Sequence, residues 1–270
     1  MVDPNPWLTV ATVVKDDEEG FARTWTSVAS QDLAEVEVVI VDSSSPAGRV
    51  AVAGIVEDGL DPAAVTYEWR EPAGIYPAMN EALALATGEY ILYLNAGDEL
   101  FDAGTLERLR GALAEGGPEW AFGPVEIIEA GGLRVITPPW DYSAEKSALF
   151  SRGHFPAHQG TVVSRDLLTR AGAFDTSYRI SADYACFLRL SQSADPLVLP
   201  FVLARFHEGG VSTTAWQESF REFHRARREI LRPQGAAALR ERWETMRHHA
   251  LVYAHRELRP RLGWSRQQRT

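Results

Sequence analysis

Hydrophobic positions along the chain alternate between two textures. Short β-branched runs, Leu8–Val14, Glu37–Val41 and Tyr90–Leu94, read as buried strands, with a shorter strand at Val65–Trp69. Between them the apolar residues recur every three or four positions. Phe21, Trp25, Val28 and Ala29 do so after the first run, a second helix is expected near 49–58, and Met79, Leu83 and Ala86 share one face of a helix over Tyr76–Ala86 that Thr87-Gly88 stops. Strands alternating with helices predict an α/β fold whose sheet is mostly parallel with right-handed crossovers. Such crossovers bring the loops after the first, second and fourth strands to one edge, so Lys15, Asp42 and Asp98 are expected to share a cleft.

The second half has a different rhythm. Leu106, Leu109 and Leu113 predict a helix over 103–115 with Asp102 as its cap. Trp120–Ile128 and Leu133–Thr137 read as two strands joined by Glu129-Ala-Gly-Gly132. Residues 140–157 look irregular, Thr161–Ser164 is a short strand, and Asp166–Ala171 is a helical turn. Ser181 can cap a helix to about Ser193, and Pro196–Leu203 is a broken strand. Helices are expected near 215–231 and 236–257. In the last, Leu239, Trp243, Met246, Ala250 and Tyr253 form an apolar stripe flanked by arginines.

Composition narrows the class. With 270 residues, 45% of them hydrophobic and 24% charged, the chain can bury one large core, or a core plus a small appendage. No run of 18 apolar residues marks a transmembrane helix, and the start lacks the basic and apolar regions of a signal peptide. The single cysteine, Cys186, excludes an intramolecular disulfide and suits a reducing compartment, so a cytoplasmic protein is expected. The net charge of −10 is uneven. Residues 221–270 carry 13 Arg against 5 Glu, a surplus of eight positive charges, so the preceding 220 residues hold −18. An acidic body argues against nucleic acid as a partner. The basic end suits either an anionic membrane surface or neutralisation of its own acidic domain.

Three carboxylates and two histidines stand where chemistry is expected. Asp98 follows the Tyr90–Leu94 strand in Asn95-Ala-Gly-Asp98, where an open sheet binds ligands, although a plain polar turn reads the same way. Asp42 ends the second strand, where it can take hydrogen bonds from a ligand or cap its own serine-rich loop. Asp183 falls in the first turn of a helix, where the dipole favours a charge and where a carboxylate could also act as a base. His158 stands at a strand edge, and His207 in Phe206-His-Glu-Gly-Gly210 could assist a metal or phosphate or simply be solvated. No dinucleotide fingerprint, phosphate-loop lysine or serine nucleophile elbow is present.

In order, these segments resemble the family-2 glycosyltransferases of the GT-A fold. The first strand and Ser27-Val-Ala-Ser-Gln31 are followed by Val38-Val-Ile-Val-Asp-Ser-Ser-Ser-Pro-Ala-Gly48 and then by Gly74-Ile-Tyr-Pro-Ala-Met-Asn80. Ala86-Thr-Gly88, Leu94-Asn-Ala-Gly-Asp98, His158-Gln159, Gly172-Ala-Phe-Asp175, Ala182-Asp-Tyr184 and Gly209-Gly-Val-Ser212 complete the set, over roughly residues 7–215. The resemblance implies a sheet with helices on both faces, a small mixed sheet on the acceptor side, and a C-terminal helical extension. The expected division is a glycosyltransferase domain over 1–215, with nucleotide and acceptor halves meeting near 117–118, and a basic extension over 216–270.

The same resemblance implies roles. Val14 and Lys15 border the base, Asp42 contacts it, and Asn95 stands near the ribose. Asp98, assisted by His207, holds Mn²⁺ or Mg²⁺ on the diphosphate. Asp183 is the general base of an inverting transfer, and Met79, Asn80, His158, Gln159 and Tyr184 are donor- or acceptor-side candidates. The implied partners are a nucleotide-sugar, UDP-sugar favoured, and a glycan or lipid-linked hydroxyl acceptor in cell-surface or exopolysaccharide synthesis. Peripheral contact of the basic helices with the inner membrane face would go with a lipid-linked acceptor. Two departures matter. Asn95 and Gly97 leave one carboxylate in the metal motif, and Pro77 stands where the family has Asp. A non-catalytic nucleotide-sugar-binding or scaffold protein on the same fold is the alternative.

Overall fold

A computed structural model describes residues 6–57, 65–129, 131–138, 140–152, 154–207 and 216–254. The expected Gly209–Ser212 loop, and the end of the last expected helix past 254, lie outside the described residues. The chain opens with β1 (Leu8–Val14), α1 (Glu18–Ala29), β2 (Val36–Asp42), α2 (Pro46–Glu57), β3 (Val65–Trp69), α3 (Ile75–Leu85) and β4 (Tyr90–Tyr93). Strands β1, β2, β3 and β4 are all parallel, in the spatial order β4-β1-β2-β3. The chain therefore builds outward from β1 to β3 and then crosses back to lay β4 on the other side. That reversal creates a switch point between the carboxyl ends of β1 and β4, where an open sheet leaves a crevice.

The second half continues with β5 (Glu99–Leu100), α4 (Thr105–Ala114), β6 (Trp120–Phe122), β7 (Val125–Ile128), β8 (Arg134–Ile136), α5 (Tyr142–Arg152), a 3₁₀ turn at His158–Gly160, β9 (Thr161–Ser164) and α6 (Arg165–Arg170). Then come α7 (Ala182–Ser193), β10 (Leu197–Val198), β11 (Ala204–His207), α8 (Trp216–Ala226), a π turn at Arg227–Leu231, and α9 (Ala236–Tyr253). Strand β9 inserts antiparallel between β4 and β6, and β10 completes a seven-stranded sheet in the order β10-β6-β9-β4-β1-β2-β3. A smaller mixed sheet runs β5-β11-β7-β8.

Alternation along the strands divides the core between the two faces. Ala11 and Val13 of β1, with Ile91 and Tyr93 of β4, pack under α3, α6 and α7. Leu8, Val10 and Leu92 point the other way, against Phe21, Trp25, Leu106 and Leu109 of α1 and α4. Both faces are apolar because both are covered, which is why these strands read as continuous apolar runs.

Several expectations change in detail. The Trp120–Ile128 run is two strands in different sheets. Pro124 cannot donate to a ladder, and at Gly123 an added Cβ would lie 2.7 Å from the Phe201 carbonyl oxygen, so the chain must bend there with no side chain. Residues 142–152 are helical rather than irregular, opened by Asp141, whose Oδ1 accepts from the Ala144 amide at 3.1 Å. Asp102 does not cap α4 directly. It accepts from the Gly104 amide at 3.0 Å and pairs with Arg108, and Gly104 occupies the cap position. Ser181 stands at the cap of α7 but makes no capping bond with its hydroxyl. The Pro196–Leu203 run keeps only the two residues of β10, and the Ala204–His207 stretch, for which no element was expected, is β11.

The turn between α3 and β4 passes against β1. A Cβ at Gly88 would come within 2.7 Å of the Thr9 amide nitrogen and 2.8 Å of the Leu8 carbonyl carbon. Neither is a flexible side chain, so Gly88→Ala must push β1 away from the turn. Urea denaturation is expected to give a lower midpoint at unchanged slope, with a loss of about 2 kcal/mol.

Candidate active site

The loops after β1 and β2 are tied together. Val14 buries its side chain in the core and its carbonyl accepts the Ser43 amide at 2.9 Å, so the chain beyond it, not its side chain, borders the crevice. Lys15 is exposed. Asp16 turns with φ +49°, donates its amide to Ser44 Oγ and accepts the Ser45 amide on Oδ1, both at 2.8 Å. Those Ser45 contacts hold its carboxyl below the usual range. Asp42 is fully buried. Its Oδ1 accepts from the Ser44 amide at 2.8 Å and its Oδ2 from the Tyr67 hydroxyl at 2.6 Å. Burial, and then Asp42, hold the Tyr67 hydroxyl above its ordinary value. Trp69 donates Nε1 to the Ser44 carbonyl at 3.0 Å, and Arg49 lies 5.3 Å from the centre of its ring. Tyr67, Trp69 and Arg49 belong to this side of the crevice and escaped the sequence reading.

After β4 the chain turns tightly. The Asp98 amide donates to the Asn95 carbonyl at 2.9 Å and the Ala96 amide to the Val13 carbonyl at 3.1 Å, while Gly97 takes φ +96°. Thr24 of α1 pins the turn from below. Its hydroxyl accepts the Gly97 amide at 3.0 Å and donates to the Asp98 carbonyl at 2.6 Å.

The Asp98 side chain is buried, with Gln159 Nε2 at 3.3 Å, and among the described residues no cationic side chain pairs with it. Burial pushes its carboxyl up to about 8, only partly opposed by Gln159 and Asn95. Beside it, Asn95 Nδ2 lies 3.2 Å from His158 Nε2, and Asn95 Oδ1 is buried with no partner among the described residues. Burial pushes His158 down to about 4, so the ring is neutral near pH 7 and its Nε2 can accept from the amide.

A buried carboxylate with no counter-charge, next to an orphaned carbonyl oxygen, is a donor set that fits a divalent cation and a hydroxyl-bearing ligand. His207 is not gathered into it. Its Nε2 lies 2.7 Å from Glu99 Oε1, and Glu99 also pairs with Arg205. Among the described residues no three His, Cys, Asp or Glu side chains cluster as a ready metal cage.

Asp183 sits in the first turn of α7. Its Oδ1 accepts from the Tyr184 amide at 2.8 Å and faces the Tyr76 hydroxyl at 3.1 Å. Tyr76 itself donates to the Ile180 carbonyl at 2.5 Å and stacks on Phe174. Burial pushes the Asp183 carboxyl up to about 6; the Tyr184 and Tyr76 contacts oppose this, and the charge of Glu222 adds to it. Glu222, from α8, gathers three backbone amides just before the helix: Arg179 at 2.8 Å, Ile180 at 2.9 Å and Ser181 at 2.8 Å. Neither Tyr76 nor Glu222 was expected. Tyr76 lay inside a quoted segment, but a lone glutamate on a distant helix leaves no signal in the sequence.

Three expected contact residues are instead committed to packing. Met79 is buried, with its carbonyl accepting the Tyr93 hydroxyl at 3.0 Å. Asn80 clasps Phe174, donating Nδ2 to its carbonyl at 2.8 Å and accepting its amide at 3.0 Å. Tyr184 is fully buried, donates to the Leu149 carbonyl at 2.6 Å, and receives Arg227 at 3.3 Å. The neighbours that fix α3 and α7 bury the Met79 and Tyr184 side chains and leave Asn80 half-buried. His158 and Gln159 do meet Asn95 and Asp98.

The sheet order, the crevice at its switch point and the acids on that edge define a protein of the GT-A fold. Residues 9–170, more than half of the chain, match the family model described as Glycosyl transferase family 2; the chain belongs to that family and is a glycosyltransferase. It is 26% identical over 212 residues to an uncharacterized glycosyltransferase of Mycobacterium tuberculosis, covering 77% of this chain and 78% of that one. It is 29% identical over 199 residues to a PGL/p-HBAD biosynthesis glycosyltransferase of Mycobacterium bovis, covering 72% and 74%.

Among solved structures, S. aureus TarS 1-349 in complex with UDP-GlcNAc superposes with a TM-score of 0.68 at 16% identity, over 92% of this chain and 72% of that one. The mannosyltransferase PcManGT of Pyrobaculum calidifontis, in complex with GDP-Man and Mn2+, gives 0.64 at 21%, over 94% and 71%. At these identities the likeness is one of fold.

The bond from Tyr67 is the shortest contact to the buried Asp42 carboxylate. Tyr67→Phe removes it and is expected to lower stability by about 1.5 kcal/mol, read from urea denaturation, since a hydrogen bond to a buried charge is lost.

Proposed function

We propose that this glycosyltransferase is metal-dependent and inverting, moving a sugar from a UDP-sugar to a hydroxyl of a glycan or lipid-linked acceptor in cell-surface or exopolysaccharide synthesis. The observation that carries the reading is a pair of carboxyl groups without cationic partners among the described residues: buried Asp98 at the end of β4 and half-buried Asp183 at the start of α7, both raised above the ordinary range. The UDP-GlcNAc and GDP-Man complexes of the structural neighbours, the Mn2+ of one of them, and the PGL/p-HBAD relatives support it.

Each chain residue has a physical task in this reading. The Asp42–Ser44–Tyr67 network presents a rigid polar floor beside Trp69 for the base. The unpartnered Asn95 Oδ1 accepts from a ribose hydroxyl. Asp98 would hold the cation, with the diphosphate and water as its remaining ligands and with His207 left to Glu99. When bound, the ion neutralises charge on the departing diphosphate. Asp183 takes the proton of the acceptor hydroxyl as that oxygen bonds to the anomeric carbon. The carbon–oxygen bond to the diphosphate breaks, and its electron pair leaves with the nucleotide. A carboxyl raised to about 6 is a stronger base than an ordinary aspartate and is still mostly ionised near pH 7.

Two experiments test this. In thermal shift, UDP with Mn²⁺ is expected to raise the wild-type midpoint by several degrees and to leave Asp98→Ala nearly unmoved, because a bound ligand stabilises only the state that holds it. No shift in the wild type with any nucleoside diphosphate, with or without metal, removes the donor assignment; a shift that metal leaves unchanged, with no turnover on any acceptor, favours the non-catalytic nucleotide-sugar-binding or scaffold reading instead. In a UDP-release assay, Asp183→Asn is expected to keep donor binding and lose roughly 100-fold or more in rate.

The pH dependence has a definite sign. The base acts only when ionised, so the wild-type rate climbs with pH through about 6 and flattens above it. Glu222→Gln removes a negative charge that helps raise Asp183, so the limb moves to lower pH. A near wild-type rate in Asp183→Asn would falsify the base assignment.

A further inference from the structure

Helix α9 packs inside out. Its inward face is polar: Glu241 and Glu244 are buried and Thr245 is half-buried. Arg227, itself 3% exposed, binds Glu241 Oε1 through Nε at 2.9 Å and Thr245 Oγ1 through Nη2 at 2.7 Å. His224 Nδ1 lies 2.9 Å from the same Glu241 oxygen. Burial works to raise the Glu241 carboxyl, but the His224, Arg227 and Thr245 bonds outweigh it and hold it below its ordinary range. The helix is thus anchored through ionic and hydrogen-bonded contacts, and its apolar stripe is turned away from the protein. Leu239 is 71% exposed, Trp243 56%, Met246 64% and Tyr253 41%, with Ala250 exposed among them.

These residues follow the spacing i, i+4, i+7, i+11, i+14, so they form one line along a helix about 27 Å long. Arg240 and Arg247 flank the line on one side and Arg242 on the other, all exposed, and Arg247 lies over the Trp243 ring at 5.3 Å. Exposed apolar surface of this extent marks a contact site.

We propose that α9 is an interfacial helix that docks this enzyme on an anionic phospholipid surface, the Leu239–Trp243–Met246 stripe entering the headgroup layer and the arginines meeting lipid phosphates. Three observations select that occupant. A tryptophan and long aliphatic side chains bordered by arginine are the composition of an interfacial helix. The charge is polarised: +8 over residues 221–270 against −18 over the rest, so an anionic surface attracts this end and repels the body, fixing the orientation. Residues 255–270 hold five of those Arg and one of those Glu. A second copy joined face to face through α9 would set the arginine rows of the two copies against each other. No helix among the described residues is long and apolar enough to cross a membrane, so the contact is peripheral.

The inference does not rest on the glycosyl-transfer reading, because binding is measured without donor or acceptor. Flotation of the full chain with phosphatidylcholine vesicles carrying about one-third phosphatidylglycerol, in roughly 0.1 M salt, is the test. The wild type is expected to float with these vesicles and at least tenfold less with pure phosphatidylcholine. Leu239→Asp/Trp243→Asp/Met246→Asp, which alters only exposed side chains, should keep its circular dichroism spectrum and melting profile and lose flotation. Arg240→Glu/Arg242→Glu/Arg247→Glu should lose the preference for anionic lipid, by about fivefold per arginine. Absence of wild-type flotation at both low and moderate salt overturns the proposal. So does flotation equal to wild type in the triple aspartate variant. Concentration-dependent self-association without vesicle binding, abolished in that variant, assigns the stripe to a second copy instead.

Discussion

Strand β9 runs against β4, and the crevice depends on that one reversal. Had β9 entered the sheet parallel, residues 158–160 would lie at the opposite edge from Asp98. Because it pairs Leu92 with Val162 and Tyr90 with Ser164, the turn before it lands beside the turn after β4. His158 and Gln159 then reach Asn95 and Asp98 at 3.2 and 3.3 Å. The parallel half supplies the rest by a different rule: β1, β2 and β4 run in the same direction, so their carboxyl ends lie at the same edge. Parallel strands thus gather the loops after β1, β2 and β4, and one antiparallel strand brings the second half of the chain to them.

The electrostatics follow from that closure. Burying Asp98 beneath the turn, with a neutral amide and a neutral imidazole as its surroundings, raises its carboxyl to about 8, so that without a cation it is mostly protonated near pH 7. Asp42, equally buried, is satisfied by the Ser44 amide and the Tyr67 hydroxyl. The contrast separates a carboxylate satisfied within the scaffold from one whose only side-chain partner among the described residues is a neutral amide. It also bears on the missing second acid of the motif. Asn95 contributes no charge, yet its orphaned oxygen keeps the site polar, so the motif is reduced to one carboxylate without becoming an ordinary turn.

Legibility in the sequence tracked burial and range. β1, β2 and β4 could be read because both sheet faces are covered, which makes their residues uniformly apolar. Asp42, Asp98 and Asp183 could be placed because each follows a strand or opens a helix, both local features. Tyr67 was within reach: Val65, Tyr67 and Trp69 alternate along β3, and Trp69 pairs with Asp42 in the register, so Tyr67 lies one diagonal step away on the same face. Helix α5 stayed hidden because it buries little beyond Tyr142 and Leu149, and β11 because its outward positions are Arg205 and His207, held by Glu99 and Glu126 in an ion-pair cluster rather than by apolar packing. For Met79 and Tyr184 the resemblance located the segments, and only packing could show that the side chains turn into the core.

The C-terminal helices hold the start of α7 from two sides. Glu222 fixes the amides of 179–181, two residues ahead of Asp183, and Arg227 ties Tyr184, which follows Asp183, to Glu241 of α9. The turn that aims the proposed base is therefore gripped from one side by α8, and the helix behind it is bolted to α9 through a buried ion pair. A buried pair of this kind contributes little net stability, but it is intolerant of displacement because losing either partner strands a charge. An apolar interface would let α9 slide; this one holds it in register while leaving its apolar line outside. The same polar contacts that keep α9 inverted also link it, through Arg227 and Tyr184, to the residue that follows Asp183.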